Sequence, residues 1–308
     1  MGGMSEALAA ALRRIPALAG RDPAAIAAER LGGLTNQNWR IDAGGESFVL
    51  RIPGAGTEAY IDRRVEAANA RIAAAAGVNA EVVFFDESDG LQLARYIPGA
   101  ATMNAERFRD LGAVARAAEA FGRIHRCGRS FANRFELFAK MDEYLAYLQA
   151  KQARIPEGYD RVQREAEAVR AALALHPAPV VPCHCDPLAE NFLDTGERIW
   201  IVDWEYSGDN DPMWDLGDVS VEAGFGEAQD EALLAAYFAG RPPADQVGRM
   251  VMYKAMCDLL WTLWGVIQVV NENPVENFWA YAVNRFERCQ ALMATPAFGR
   301  HLAAVRAG

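Results

Sequence analysis

The chain has 308 residues, 52% hydrophobic and 23% charged, enough for one large domain or for two lobes around a substantial core. Its net charge of −10 argues against a nucleic-acid partner, whose phosphates it would repel, and is compatible with a cationic substrate. Five cysteines, odd in number and scattered, suggest a reducing cytoplasm rather than a disulfide framework.

The first stretch, MGGMSEALAAALRRIPALAG, lacks a basic start followed by an uninterrupted apolar core, so it reads as a surface helix ending near Pro16 and not as a targeting segment. From Ile26 to Gly99 strand-like and helix-like signals alternate. Leu31 to Asn38 forms a glycine-containing turn, and its Thr35 and Asn36 suit a backbone that approaches phosphate oxygens. Ser47 to Ile52 is a strand with Phe48, Leu50 and Ile52 on one face and Arg51 on the other. A cation in mid-strand, turned from the apolar row, needs a partner. The next helix offers one, because Ile61, Val65, Ala68, Ile72 and Ala75 recur at helical spacing and leave Glu66 at the edge of the packed face. Glu81–Phe85 and Leu91–Tyr96 are two further strands, and Ile97–Pro98–Gly99 breaks the pattern.

Beyond Gly99 the pattern is mainly helical. Asn104 is placed to cap a helix running through Phe108, Leu111, Ala115, Ala118 and Phe121 to near Gly128, with His125 in a structural position on its last turn. Further helices are expected at Met141–Leu148, Arg161–Leu175, Glu227–Phe238, Asp245–Val270 and Val275–Met293. The longest apolar run, Leu259 to Val270, is too short to cross a bilayer, so no membrane insertion is expected.

Between these helices lies the stretch with the densest chemistry: His184, Asp186, Asn191 and Asp203, spaced H-x-D-x-x-x-x-N and followed by a short hairpin and an Asp. Phosphoryl transfer needs a carboxylate to accept the proton of the attacking hydroxyl and side-chain oxygens to hold magnesium. Asp186 suits the first task. Asn191 and Asp203 suit the second, since magnesium prefers hard oxygen ligands. Phe192–Leu193, the turn at Asp194–Gly196 and Ile199–Val202 read as a hairpin that returns Asp203 beside Asn191. Cys183 and Cys185, one residue apart and without a second cluster, do not make a zinc site.

HCDPLAENF followed by VDWEYSGDNDPMWDLGDVSVE resembles the signature of the choline/ethanolamine kinase family, within the aminoglycoside-phosphotransferase-like kinases, and is most similar to its bacterial choline kinase branch. The resemblance spans nearly the whole chain beyond the first twenty-five residues. It implies an α+β, two-lobed protein-kinase-like fold, with a small antiparallel-sheet lobe over residues 1–97 and a larger, mainly helical lobe over 98–308. It implies ATP as co-substrate and Mg2+ as cofactor, with Arg51 and Glu66 gripping the phosphates and Tyr96 and Ile97 at the crossover where backbone groups meet adenine. RIPGAGTEAYIDRRVE looks like the branch that carries Arg rather than Lys at position 51.

The resemblance also gives His184 a backbone-holding role, makes Asp215 a brace for the catalytic loop, and leaves Glu205 as a further candidate on the metal side. Cys185 departs from the family, which more often has Asn or Gly there. For the acceptor, LLWTLWGVIQ looks like the choline-pocket helix. Trp261, Trp264, Tyr206, Glu222 and Tyr281 would then hold a quaternary ammonium through aromatic faces and a carboxylate. Choline is the expected acceptor. Ethanolamine, thiamine and aminoglycosides are the alternatives within the fold. A catalytically dead binding protein would be expected to lose Asp186, Asn191 or Asp203, and all three are present.

Overall fold

The computed structural model describes residues 6–21, 25–32, 36–54 and 61–308. Helix α1 (Glu6–Arg13) is followed by strands β1 (Ile26–Gly32), β2 (Gln37–Ala43) and β3 (Glu46–Ile52), helix α2 (Arg63–Ala75), and strands β4 (Val82–Phe85) and β5 (Gln92–Arg95). The strands form one antiparallel sheet in the order β1-β2-β3-β5-β4. Its register sets Trp39 opposite Leu50 and Arg51 opposite Gln92. Strand alternation then sorts β3 into two faces. Phe48 and Leu50 pack against Leu8, Leu12, Ile15 and Leu18 in a small core, while Val49 and Arg51 face a cleft. The first helix is thus no loose surface element. It ends at Arg13, a short 3-10 turn takes up Pro16–Leu18, and both cover the sheet.

The larger part begins with β6 (Ala101–Thr102) and helices α3 (Leu111–His125), α4 (Leu137–Ala150) and α5 (Tyr159–Leu175). Asn104 caps only a 3-10 turn at Arg107–Arg109. The cap of α3 is Asp110, whose side chain accepts from the Gly112 N–H, because the chain re-enters extended backbone there before the true helix starts. Short strands β7 (Val181–Cys183), β8 (Phe192–Asp194), β9 (Ile199–Ile201) and β10 (Gly208–Asn210) carry the catalytic stretch. Then come α6 (Pro212–Glu222), α7 (Glu227–Tyr237), α8 (Ala244–Val270), α9 (Phe278–Met293) and α10 (Pro296–Ala307). Helix α6 starts where Asp211 caps and Pro212 occupies the first turn.

Helix α8 is long and apolar enough to cross a membrane by length and composition, yet most of it is buried inside the fold. Its Gly265 permits close packing on α9: a Cβ there would lie 2.8 Å from the Tyr281 ring and 3.1 Å from Ala282. The fold is kinase-like, with a small antiparallel-sheet lobe and a larger helical one. Helix α2 crosses that division, since its Ala70 and Ala73 belong to the large core and not to the small one.

Candidate active site

The loop after β7 is held from below. Asp215 accepts the backbone N–H of His184 at 2.8 Å and of Cys185 at 2.9 Å, and its carboxylate also meets His125 Nε2 at 3.0 Å. His125 in turn meets the Tyr237 hydroxyl at 2.9 Å, which assigns it a bracing role. The His184 ring nitrogen Nε2 lies 2.9 Å from the Val202 carbonyl, and burial pulls its pKa below the ordinary value, so a neutral imidazole donates there. Cys185 has φ +66°, in the left-handed region. That conformation adds about 1–2 kcal/mol for a residue with a Cβ and little for Gly, with Asn also tolerated. The residues expected at this position therefore match its backbone, and the thiol is instead accommodated in a buried site facing the Gly208 carbonyl.

The hairpin β8–β9 pairs Phe192 with Ile201, and the Val202 N–H donates to the Asn191 carbonyl at 2.9 Å. Asn191 Nδ2 donates to the Asp186 carbonyl at 3.1 Å. Asp186, Asn191 and Asp203 thereby line one cleft of about 760 Å3. Burial first, then the charges of Asp218 and Glu222, push the Asp186 carboxyl well above the usual carboxylate range.

At one end of the cleft Arg51 reaches both Glu66, in a short ion pair, and Asp203 at 2.9 Å. Burial works against the guanidinium charge, but Glu66, Asp203 and Glu205 together raise its pKa. Arg63 joins the group, bonding Glu66 at 2.6 Å and Glu205 at 3.1 Å. Burial, then the charge of Asp203, pushes Glu205 up to about 7. Oxygens of Glu66, Asp203 and Glu205 lie within 4.8 Å of one another; Glu66 spends both of its oxygens on Arg51 and Arg63, which leaves Asp203 and Glu205 as hard donors of the kind magnesium takes. Asn36, Tyr96 and Ile97 line the same end, and Asn36 is buried with its Oδ1 3.3 Å from the Gly54 N–H. Thr35 lies outside the described residues.

At the other end, aromatic rings meet edge to face. Tyr206 lies 5.9 Å from Trp261 between centroids, Trp261 lies 6.1 Å from Trp264, and Trp264 lies 5.8 Å from Tyr281. Phe278 adds a ring 5.5 Å from Trp264. Glu222 also lines this end, held by Arg285 at 2.6 Å. Arg285 continues to Asp258 at 3.1 Å and lies over the Tyr281 ring at 4.9 Å. Arg63, Phe278 and Arg285 were not singled out from the sequence. Arg63 and Arg285 sit in charged helical runs, Arg63–Arg64 and Arg285–Phe286–Glu287–Arg288, where only tertiary packing separates the inward from the outward cation. Phe278 alone carried a readable signal, as an aromatic three residues before Tyr281.

A buried carboxylate at Asp186 and a carboxylate cluster held by guanidiniums, gathered at one cleft in a kinase-like fold, fit a nucleotide-dependent phosphotransferase. The comparisons with known proteins agree. Residues 26–247 match the phosphotransferase enzyme family. A solved choline/ethanolamine kinase family protein from Mesorhizobium loti is 57% identical, with TM-score 0.88 over 97% of this chain and 98% of that one. The choline kinase LicA from Streptococcus pneumoniae is 27% identical, with TM-score 0.78 over 94% of this chain and 99% of that one. Protein LicA of Haemophilus influenzae is 30% identical over 274 residues, covering 85% of this chain and 78% of its own length. The chain belongs to the phosphotransferase enzyme family and, within it, to the choline/ethanolamine kinases.

Proposed function

We propose that this protein transfers the terminal phosphoryl group of ATP to the hydroxyl of a small amino alcohol, choline before ethanolamine. One observation carries the reading: four aromatic side chains expected around a quaternary ammonium, Tyr206, Trp261, Trp264 and Tyr281, share a single cleft with Asp186 and Asp203. An ammonium without N–H groups is bound by aromatic faces at about 0.5–2 kcal/mol each, whereas a primary ammonium needs hydrogen-bond acceptors.

Asp186 accepts the proton of the acceptor hydroxyl. Its raised pKa makes it a stronger base than a solvated carboxylate. Arg51, positioned by Glu66, grips phosphate oxygens from the sheet side. Asn191 and Asp203 would hold Mg2+, with Glu205 beside them. Bound there, the ion neutralises phosphate charge. Tyr96 and Ile97 flank the adenine, and Thr35 and Asn36 the phosphates. The same reading assigns residues 1–97 to phosphate binding and 98–308 to the catalytic loop and acceptor pocket. The five cysteines, all free, accord with a cytoplasmic location.

The test is ATP consumption with magnesium across choline, ethanolamine, thiamine and an aminoglycoside. Choline is expected to give the highest kcat/KM. Ethanolamine equal or better removes the aromatic-cage argument, and turnover of the aminoglycoside alone overturns the acceptor class.

A further inference from the structure

Behind the acceptor end of the cleft, helices α6, α8 and α9 bring three carboxylates together: Asp218, Glu222 and Asp258. The buried cation among them is Arg285, and it is engaged by Glu222 and Asp258. Asp258 has a second partner at the rim, the half-exposed Arg288, at 3.3 Å. Asp218 has no ion-pair partner among the described residues. It is fully buried, one helical turn before Glu222. Its Oδ1 accepts the Cys257 thiol at 3.0 Å, and Oδ2 has no hydrogen-bond partner among the described residues. The thiol also lies 3.9 Å from Glu222 Oε1, so Cys257 sits between the two carboxylates.

A buried carboxylate without a compensating cation is strongly unfavourable. Asp215, three residues earlier, spends its oxygens on the catalytic loop and His125 and offers Asp218 no relief. Burial, then the charge of Glu222, accordingly raises the Asp218 carboxyl well above its ordinary range, so its ionised form is disfavoured alone and favoured by a cation in the pocket. Glu222 itself is less able to serve an incoming ammonium alone, because Arg285 already neutralises it. The pocket wall is therefore one positive charge short.

We propose that Asp218 is the residue that selects a charged acceptor: it supplies, from behind Glu222 and Cys257, the negative charge that the acceptor's onium group completes. The inference rests on the amino-alcohol reading above, and it moves the counter-charge from Glu222, which touches the pocket, to a carboxylate that does not. Asp218 acts through the field and is a positioning charge, not a catalytic residue.

Isothermal titration of the full chain with choline and with its neutral carbon isostere, in which tert-butyl replaces trimethylammonium, isolates the charge because the two ligands share one shape. The wild type is expected to favour choline. Asp218→Asn, nearly isosteric, should reduce that affinity ratio about 10- to 100-fold, the size expected for loss of a unit charge screened by an effective dielectric constant of about 20, through choline binding alone. Asp218→Ser, smaller and equally neutral, must give the same drop. An unchanged ratio in either folded variant, or equal weakening of both ligands, overturns the proposal. Failure of the wild type to phosphorylate any amino alcohol overturns the function instead, and the activity assay reads that separately.

Discussion

The two ends of the cleft keep carboxylates in opposite ways. At the end proposed for the nucleotide, Glu66, Asp203 and Glu205 face two guanidiniums, Arg51 and Arg63, through short ion pairs that cross between the sheet, α2 and the segment after β9. At the end proposed for the acceptor, Glu222 and Asp258 share one buried guanidinium, Arg285, with Arg288 at the rim, Asp218 has no ion-pair partner among the described residues, and aromatic rings fill the remaining wall. Each end holds more acid than buried base. Under the proposed function the first deficit is met by a hard divalent cation and the second by a soft organic one. Polar oxygens alone serve the first, whereas the second adds ring faces, and that difference lets one small cleft sort two cations to two places.

The largest expected effect lies between the two ends. Asp186→Asn should fold and bind both ligands yet lose about 10²–10⁴-fold in kcat, the usual contribution of a general base. Single-turnover phosphoryl transfer checks it, and full turnover by a folded variant would remove Asp186 from the role. A smaller effect tests the nucleotide end alone. Arg51→Lys keeps the charge but loses the fork that serves Glu66 and Asp203 together. It should raise the KM for ATP roughly 3- to 10-fold, equivalent to about 1 kcal/mol, while the acceptor KM stays put. An equal rise in both would blur the separation of the ends.

The smallest effect is on stability. Asp218 has a folded pKa above its unfolded value, so the folded state binds the extra proton and stability falls as pH rises from the unfolded value through the folded one. Asp218→Asn removes this dependence. Its Tm should exceed that of the wild type by roughly a few degrees at about pH 8 and by less at about pH 5. A gain independent of pH would place the strain elsewhere.

Much of this arrangement is legible in the residues. The step from Asp186 to Asn191 and the apolar run ending at Asp203 dictate a loop and hairpin, and the structure closes them with the Val202–Asn191 bond. Strand alternation separates Arg51 from Phe48 and Leu50, and helical spacing locates Glu66. Trp261 and Trp264, three apart on α8, announce a shared face. The missing pieces are long-range ones. Asp218 lies in an ordinary helical run, and its isolation follows from where α9 places Arg285. Helix α10 escaped because only Phe298 and Val305 in it are buried, too few to make a periodic signal.

Helix α2 is bolted to the larger lobe. Asn69 donates to the Ser207 carbonyl at 3.1 Å and to Asn133 Oδ1 at 3.0 Å, and it accepts the Ala132 N–H at 2.9 Å. Just past the helix, the Val78 carbonyl accepts the Ile201 N–H at 2.9 Å. Glu66 is therefore anchored with the strand that presents Asp203, whereas Arg51 rides on the sheet. The Arg51 contacts form a latch between the sheet and the larger lobe, and a cleft that opened by moving the sheet past α2 would have to break them. In hydrogen exchange, the backbone amides of α2 would then be protected together with those of β9, while those of β3 follow the sheet.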